Sequence, residues 1–361
     1  MLRSGFVDVI GMSLVADRAP RFSPWRCGGS TANDQEEGAE AVGKIVTLGE
    51  VVADVYLERG PSEVELHFTA RPGGAPANVA VAAAKLGAQA AFVGRLGDDL
   101  FGEFILHALE AVGVDISAVL RQPPPTRTTL AFVEVSADGD REFTFYRSVP
   151  AADELLAPED IAPETLAGAS FANFGSIPLI KEPVRSATHR FAELANELDV
   201  AVAFDVNLRA SLWDSLDAFR AAVQPMLGLS TVVKLSNDEL SPVLGTADPD
   251  EAATVLLDRG VSLALVSMGA DGAFYATRKF RGSVPPFAID EVVDATGAGD
   301  AFLAATLTQL SESPGWPHDE ASVREAIRRG TAAGALACTD FGAMRALPTR
   351  DELERLMGAR T

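Results

Sequence analysis

The stretch Asp294-Ala295-Thr296-Gly297-Ala298-Gly299-Asp300-Ala301-Phe302 follows the run Phe287 to Val293 and leads into an apolar helix beginning near Asp300. Glycines at a helix N-terminus leave backbone N–H groups pointing at one spot, and the helix dipole adds positive potential there. The result is an anion hole. A flexible glycine lead-in to a helix capped by Asp300 has the same local sequence. A dinucleotide-binding loop asks for a third small residue where Phe302 stands, and it belongs to a first strand–helix unit rather than to the end of a chain. A bare carboxylate would also repel a bound pyrophosphate. The arrangement suits an acid that takes a proton from an attacking hydroxyl while the amides stabilise charge on a phosphoryl group.

Working outward, the chain alternates between buried strands and helices. Ile45-Val46-Thr47-Leu48-Gly49 and Ala90-Ala91-Phe92-Val93-Gly94 are short apolar runs with glycine stops, between which Asn78 to Leu86 reads as an Ala-rich helix closed by Gly87. Asp99 to Val112 is amphipathic, with Phe101, Phe104, Ile105, Leu109 and Val112 near one face and Gly113 behind it. Strands are expected at Ser170 to Phe174, Val200 to Phe204, Thr231 to Leu235 and Leu263 to Ser267. Helices are expected at Pro183 to Glu197, Leu216 to Met226 and Pro249 to Arg259. This alternation predicts an α/β fold of three layers, α/β/α, around a mainly parallel sheet with ligands at the carboxyl ends of its strands. Two segments, about 55–70 and 128–147, depart from it. Leu130 to Val135 and Glu142 to Tyr146 flank Ala137-Asp138-Gly139-Asp140 and read as a hairpin. Both segments interrupt strand–helix units at strand ends, so they are expected to form a small β-sheet lid.

The 361 residues carry 51 acidic and 30 basic side chains, a net charge of −21. Such a chain repels phosphodiester backbones and anionic lipid, so neither nucleic acid nor a membrane is an expected partner. Cys27 and Cys338 form no CxxC pair, and the four histidines lack HExxH spacing, which argues against a disulfide framework or a zinc site. Apolar runs are broken well before the ~18 residues that a transmembrane helix needs. The expectation is a soluble, cytoplasmic protein. Residues 1–43 differ from the rest, with Arg3, Arg18, Arg21 and Arg26 in a Ser-, Gly- and Pro-rich stretch. They read as a disordered extension or as sequence upstream of the true start, with a transit peptide as the alternative; Asp8 and Asp17 count against the last. The folded domain is expected over 44–355.

A second signal is Gly73-Gly74-Ala75-Pro76-Ala77-Asn78. Paired glycines allow close approach of a ligand, and an Asn at a helix start can hydrogen-bond sugar hydroxyls or merely cap the helix. No GxxxxGK[ST] loop is present.

Taken in order and spacing, Gly-Gly-x-x-x-Asn at 73–78, Gly94-Arg95-Leu96-Gly97-Asp98-Asp99 and Thr-Gly-Ala-Gly-Asp at 296–300 resemble the ribokinase-like (PfkB) carbohydrate kinases over residues 44 to about 350. The chain is most similar to the fructokinases within that family. The similarity rests on Gly49-Glu50 with Asp54, Phe143 to Arg147 with Asp153, Gly175-Ser176-Ile177, Asp205-Val206-Asn207-Leu208-Arg209, and Lys234 to Glu239. Val206 stands where Pro is more frequent.

The resemblance implies a ribokinase-like fold and an ATP-dependent kinase that uses Mg²⁺ and transfers the γ-phosphoryl group to the 6-hydroxyl of fructose. Asp300 would be the general base, with Gly297, Ala298 and Gly299 supplying amides. Asp54, Gly74 and Asn78 would hold sugar hydroxyls, with Arg147 and Arg209 on the sugar or phosphate side. Glu239 would organise Mg²⁺ through water, Ser267, Gly269 and Thr296 would meet the nucleotide, and Thr331 to Ala337 would lie along the adenine. A monovalent cation, K⁺, would involve Asp294, Thr296 and the loop 339–343. The alternatives are a 2-keto-3-deoxygluconate kinase, a ribokinase, an aminoimidazole riboside kinase, or an inactive sugar- or nucleotide-binding relative. The lid edges predict a homodimer through the β lid. On the residues alone, Asp98 and Asp99 read as helix-capping acids.

Overall fold

The computed structural model describes residues 43–58, 64–135, 141–313 and 315–358. The expected N-terminal extension lies, but for Gly43, outside the described residues. From the N-terminal side the elements are β1 (Lys44–Leu48), β2 (Val52–Glu58), β3 (His67–Gly73), α1 (Ala75–Lys85), β4 (Gln89–Gly97) and α2 (Leu100–Ala111). Then come β5 (Val114–Asp115), β6 (Val119–Gln122), β7 (Leu130–Val135), β8 (Arg141–Tyr146), β9 (Ala169–Gly175), α3 (Val184–Glu197) and β10 (Ala201–Asp205). The last part holds α4 (Leu216–Leu229), β11 (Val232–Ser236), α5 (Asn237–Leu244), α6 (Pro249–Asp258), β12 (Leu263–Ser267), β13 (Ala273–Ala276), β14 (Arg281–Val284), α7 (Ala298–Ser311) and α8 (Glu320–Ala337).

The large sheet runs β14-β13-β12-β11-β10-β9-β1-β4-β5, with β6 also on β4. From β12 to β5 every pairing is parallel, and β13 and β14 add an antiparallel edge. Side chains alternate across a strand, so a sheet covered on both faces needs apolar residues at successive positions. Strand β1 satisfies this: Ile45 joins the core beneath α1, α7 and α8, while Val46 and Leu48 join the core beneath α3 to α6. Phe171 and Phe174 of β9 divide between the two cores in the same way.

A second sheet, β3-β2-β7-β8, stands apart, with β7 and β8 antiparallel from Leu130↔Tyr146 to Val135↔Arg141. Its strand β2 starts at Val52, three residues before the expected segment, directly after β1. The short strands β13 and β14 gave no period long enough to be read from sequence. Helix α1 starts at Ala75, with Pro76 in its first turn, so Asn78 lies inside the helix and not at its cap. Asp99 does cap α2, accepting from Gly102 N at 2.9 Å and from Thr128 N at 2.8 Å. Asp98 pairs with Arg121 at 2.7 Å instead of capping. The run Phe287 to Val293 forms no strand.

Candidate active site

A cavity of about 700 Å³ opens where the parallel strands end beneath the small sheet. It is lined by Asp54, Gly74, Asn78, Arg147 and Arg209, and by Asp294, Thr296, Gly297, Gly299 and Asp300 of the glycine-rich loop. Residues from four distant parts of the sequence thus meet in one place.

The loop has the geometry of an anion hole. Gly297 takes φ 83°, a left-handed conformation that glycine adopts without strain, and α7 begins at the next residue, Ala298. Asp300 is the third residue of α7 and not its cap. Its Oδ2 accepts a 2.7 Å hydrogen bond from Asn78 Nδ2. Burial raises the pKa of Asp300, while the Asn78 bond, Lys234 and Arg209 hold that rise back. A carboxylate pushed upward and still oriented is suited to take a proton. Asp294 fixes the loop from behind, accepting from Thr296 N at 2.7 Å and from Gly342 N at 2.8 Å. The small sheet is tied to the same region. Arg71 of β3 donates to the carbonyl of Phe341 and lies over the rings of Tyr56 and Phe341 at 5.4 Å and 5.2 Å.

At the other end of the cavity the paired glycines have a local reason. A Cβ on Gly73 would lie 2.1 Å from Asp54 Oδ2, and one on Gly74 would lie 2.6 Å from the Glu50 carbonyl oxygen. Gly73 makes room for the Asp54 carboxylate; Gly74, at φ 105°, makes room for the turn between β1 and β2. Arg147, just beyond β8, is held by Asp153 at 2.9 Å and Glu154 at 3.2 Å. Arg209 is exposed at the cavity wall.

Ala298, the first residue of α7, does not line this cavity, and three other expected residues stand outside it. Glu239 caps α5, its carboxylate accepting from Ser236 N at 2.7 Å and from Leu208 N. With both oxygens so engaged, it meets a metal ion most readily through water. Ser267 and Gly269 lie at the end of β12, where Ser267 pairs in register with Ser236. Of the expected adenine segment, Gly334 packs against the carbonyl of Ala298, which presses α8 onto the start of α7.

Two charged residues given no role from sequence also line the cavity. Lys234 of β11 is buried and donates to both oxygens of Asp205 at 2.9 Å and 3.0 Å. Its Nζ is 3.0 Å from where a Cβ on Gly299 would sit, so the ammonium lies against the anion hole. Burial opposes that charge, but Asp205, Glu239 and Asp300 outweigh it and raise the Lys234 pKa. The signal was a lysine inside the apolar run Val232-Val233-Lys234-Leu235, where an ionised group needs a buried partner. The second is Glu50, at the end of β1.

The chain matches the pattern of the pfkB family carbohydrate kinases over residues 42–350. It is 41% identical over 316 residues to probable fructokinase-4 of Arabidopsis thaliana, covering 87% of this chain and 96% of that one. To fructokinase-1 of Oryza sativa subsp. japonica it is 40% identical over 321 residues, covering 87% and 97%. The fructokinase of Xylella fastidiosa with bound ATP superposes with a TM-score of 0.79 at 32% identity, over 88% of this chain and 98% of that one. The fructokinase of Vibrio cholerae O395 bound to fructose, ADP and calcium gives 0.78 at 35% identity, over 87% and 99%. Aminoimidazole riboside kinase of Salmonella enterica gives 0.75 at 33% identity, over 87% and 99%. A buried carboxylate facing helix-start amides is equipment for phosphoryl transfer to an alcohol, and it lies on the ribokinase-like fold of these kinases. The chain belongs to the pfkB family of carbohydrate kinases.

Proposed function

We propose that this kinase transfers the γ-phosphoryl group of ATP to the 6-hydroxyl of D-fructose. The observation that carries the mechanism is Asp300, buried at the first turn of α7, hydrogen-bonded to Asn78 and facing the sugar end of the cavity. The fructokinase relatives at about 40% identity support the choice of sugar.

In this reading Asp54, the Gly74 backbone and Asn78 hold sugar hydroxyls and bring the 6-hydroxyl to Asp300. Asp300 takes its proton as the oxygen attacks the γ-phosphorus and the bond from that phosphorus to the leaving ADP breaks. The amides of Gly297, Ala298 and Gly299, with the Lys234 ammonium behind Gly299, meet the charge on the transferring group. Arg209 adds positive charge at the cavity wall, and Arg147, already paired with Asp153 and Glu154, stands on the sugar side. Ser267, Gly269 and Thr296 hold the nucleotide's ribose and phosphates. Of the acids near this end, Asp205 is taken up by Lys234 and Glu239 by two backbone N–H groups, so a hard divalent cation would be held through water and the phosphates rather than by a cluster of carboxylates. Mg²⁺, organised by Glu239 through water, would offset the charge of the β- and γ-phosphates. We assign a K⁺ site to Asp294, Thr296 and the loop 339–343; a double mutant of the Vibrio cholerae O395 fructokinase has been solved in fructose, ADP and potassium ion bound form.

The small sheet acts as a lid and, in our reading, as the surface of a homodimer. Asp54, Ala131 and Phe145 face the cavity, so the register turns Leu57, Phe68, Phe132 and Tyr146 to the opposite face. Leu57 is 43% and Tyr146 62% exposed there, an apolar patch on the face away from the cavity that a second copy would cover. A monomer in light scattering at micromolar concentration overturns the dimer. No helix among the described residues is long and apolar enough to cross a membrane. We place the protein in the cytoplasm, where ATP and free sugar meet.

The test of function is ADP release measured over fructose, ribose, 2-keto-3-deoxygluconate, aminoimidazole riboside and adenosine. Fructose is expected to give the highest kcat/KM. A tenfold or larger advantage for another acceptor overturns the fructokinase reading and leaves the family standing. Absence of turnover with all of them, with nucleotide still bound, identifies an inactive relative.

A further inference from the structure

Glu50 is a buried acid with unmet hydrogen-bonding capacity. It follows β1, is 6% exposed, and contributes to the wall of the large cavity alongside Asp54 and Gly74. Its Oε2 has no hydrogen-bond partner among the described residues. Buried polar atoms in native proteins nearly always have one, so an orphan at a cavity wall points to a ligand that completes it. We infer that Glu50 Oε2 hydrogen-bonds a hydroxyl group of the bound sugar, making Glu50 a determinant of sugar affinity beside Asp54 and Asn78.

The surroundings define which form of the carboxyl does this. Asp153, Arg147 and Arg209 face Glu50, and Glu154 and Lys181 share a small adjoining pocket with it. Arg147 does not neutralise Glu50, because its guanidinium is already engaged by Asp153 and Glu154. Burial pushes the Glu50 pKa to about 8; its own backbone N–H works against that rise, Asp153 adds to it, and Arg147 and Arg209 reduce it. At neutral pH the group is therefore a neutral acid. It can donate to a hydroxyl oxygen as well as accept from one. A neutral carboxyl reads a hydroxyl as acceptor through its O–H and as donor through its other oxygen.

This inference rests on the sugar-kinase reading, and its test uses whichever acceptor wins the panel above, so the two fail separately. Sugar affinity is measured by calorimetry without nucleotide, for wild type, Glu50→Gln and Glu50→Leu. Glu50→Leu is expected to weaken sugar binding at least tenfold, leave ATP affinity within threefold, and melt no lower than wild type. The wild-type sugar Kd is expected to rise at least threefold between pH 7 and pH 9, as the donor is lost. Glu50→Gln keeps a donor that does not titrate, so its sugar Kd should stay flat over that range. Sugar binding by Glu50→Leu within threefold of wild type overturns the inference. Should Glu50→Leu not fold, the same pH dependence in Glu50→Gln as in wild type overturns it equally.

Discussion

Asn78 Nδ2 donates a 2.7 Å hydrogen bond to Asp300 Oδ2, joining the first turns of α1 and α7 across 222 residues of chain. The two glycine-rich motifs are therefore parts of one device. Asn78 Oδ1 is buried at the cavity wall without a hydrogen-bond partner among the described residues, so in the proposed mechanism the amide that orients Asp300 would also offer an acceptor to a sugar hydroxyl. In that mechanism one side chain would fix both partners of the proton transfer.

Removing that amide should change the pH dependence of the reaction. The Asn78 bond favours the ionised form of Asp300 against a burial cost that raises its pKa. A hydrogen bond to a charged group contributes ~1.5 kcal/mol or more, which corresponds to about one pKa unit. In Asn78→Ala the acid limb of the kcat–pH profile is expected to move upward by about that much. Loss of rate should thus be larger at pH 6.5 than at pH 8.5. An acid limb that stays in place would show that Asn78 does not act on the base.

Asp300→Asn tests the base itself. The amide cannot accept the proton, so turnover should fall by at least ~10²-fold. Asp300 caps nothing, and its burial disfavours its charge, so the melting temperature should not drop. Nucleotide affinity should persist, because the helix-start amides remain. A variant that keeps more than a tenth of wild-type turnover removes Asp300 from the role of base.

The parallel sheet, the hairpin of the lid and the anion hole were legible in sequence, because each has a local signature: a buried run, a period of two, glycines before a helix. What was not legible is what comes together only in the fold. Gly73 looks like a glycine facing a ligand, but it is the Asp54 carboxylate that occupies the space of its absent side chain. Asn78 looked like a cap or a sugar ligand; its bond to Asp300 needs the meeting of α1 and α7, which no local pattern encodes. Lys234 could be marked as anomalous in an apolar strand, but its partner Asp205 lies on the neighbouring strand.

The glycine at 73 gives a test of the sugar end alone. A methyl group there would sit 2.1 Å from Asp54 Oδ2 and must displace it. In Gly73→Ala the sugar KM is expected to rise about tenfold or more, with the KM for ATP unchanged. Gly228→Ala, where a Cβ meets nothing within 4 Å, is the control and should leave both constants alone. A helical Gly→Ala change of this kind stabilises by ~0.4–1 kcal/mol. Equal shifts in both substrates for Gly73→Ala would mean that the change acts on the whole cavity and that Asp54 does not belong to the sugar.

Lys234 separates a scaffolding role from a chemical one. Breaking a buried ion pair leaves one charge stranded, and Lys234→Met should lower stability by ~3–5 kcal/mol, seen as a fall in the denaturant midpoint. Replacing both partners, in Lys234→Met/Asp205→Leu, removes the stranded carboxylate and should recover most of that loss, because paired apolar residues of similar volume are often as stable as the ion pair. Turnover should follow a different course. The ammonium lies against Gly299, where the proposed mechanism puts the charge of the transferring phosphoryl group, so the double variant is expected to be folded and still at least ~10²-fold slower, the scale seen when a preorganised charge-stabilising donor is removed. If stability and turnover return together, the pair serves only to hold β10 to β11. If stability returns alone, the buried pair acts on the reaction, and the acidic chain keeps this cation in its core because a phosphoryl group must be met there.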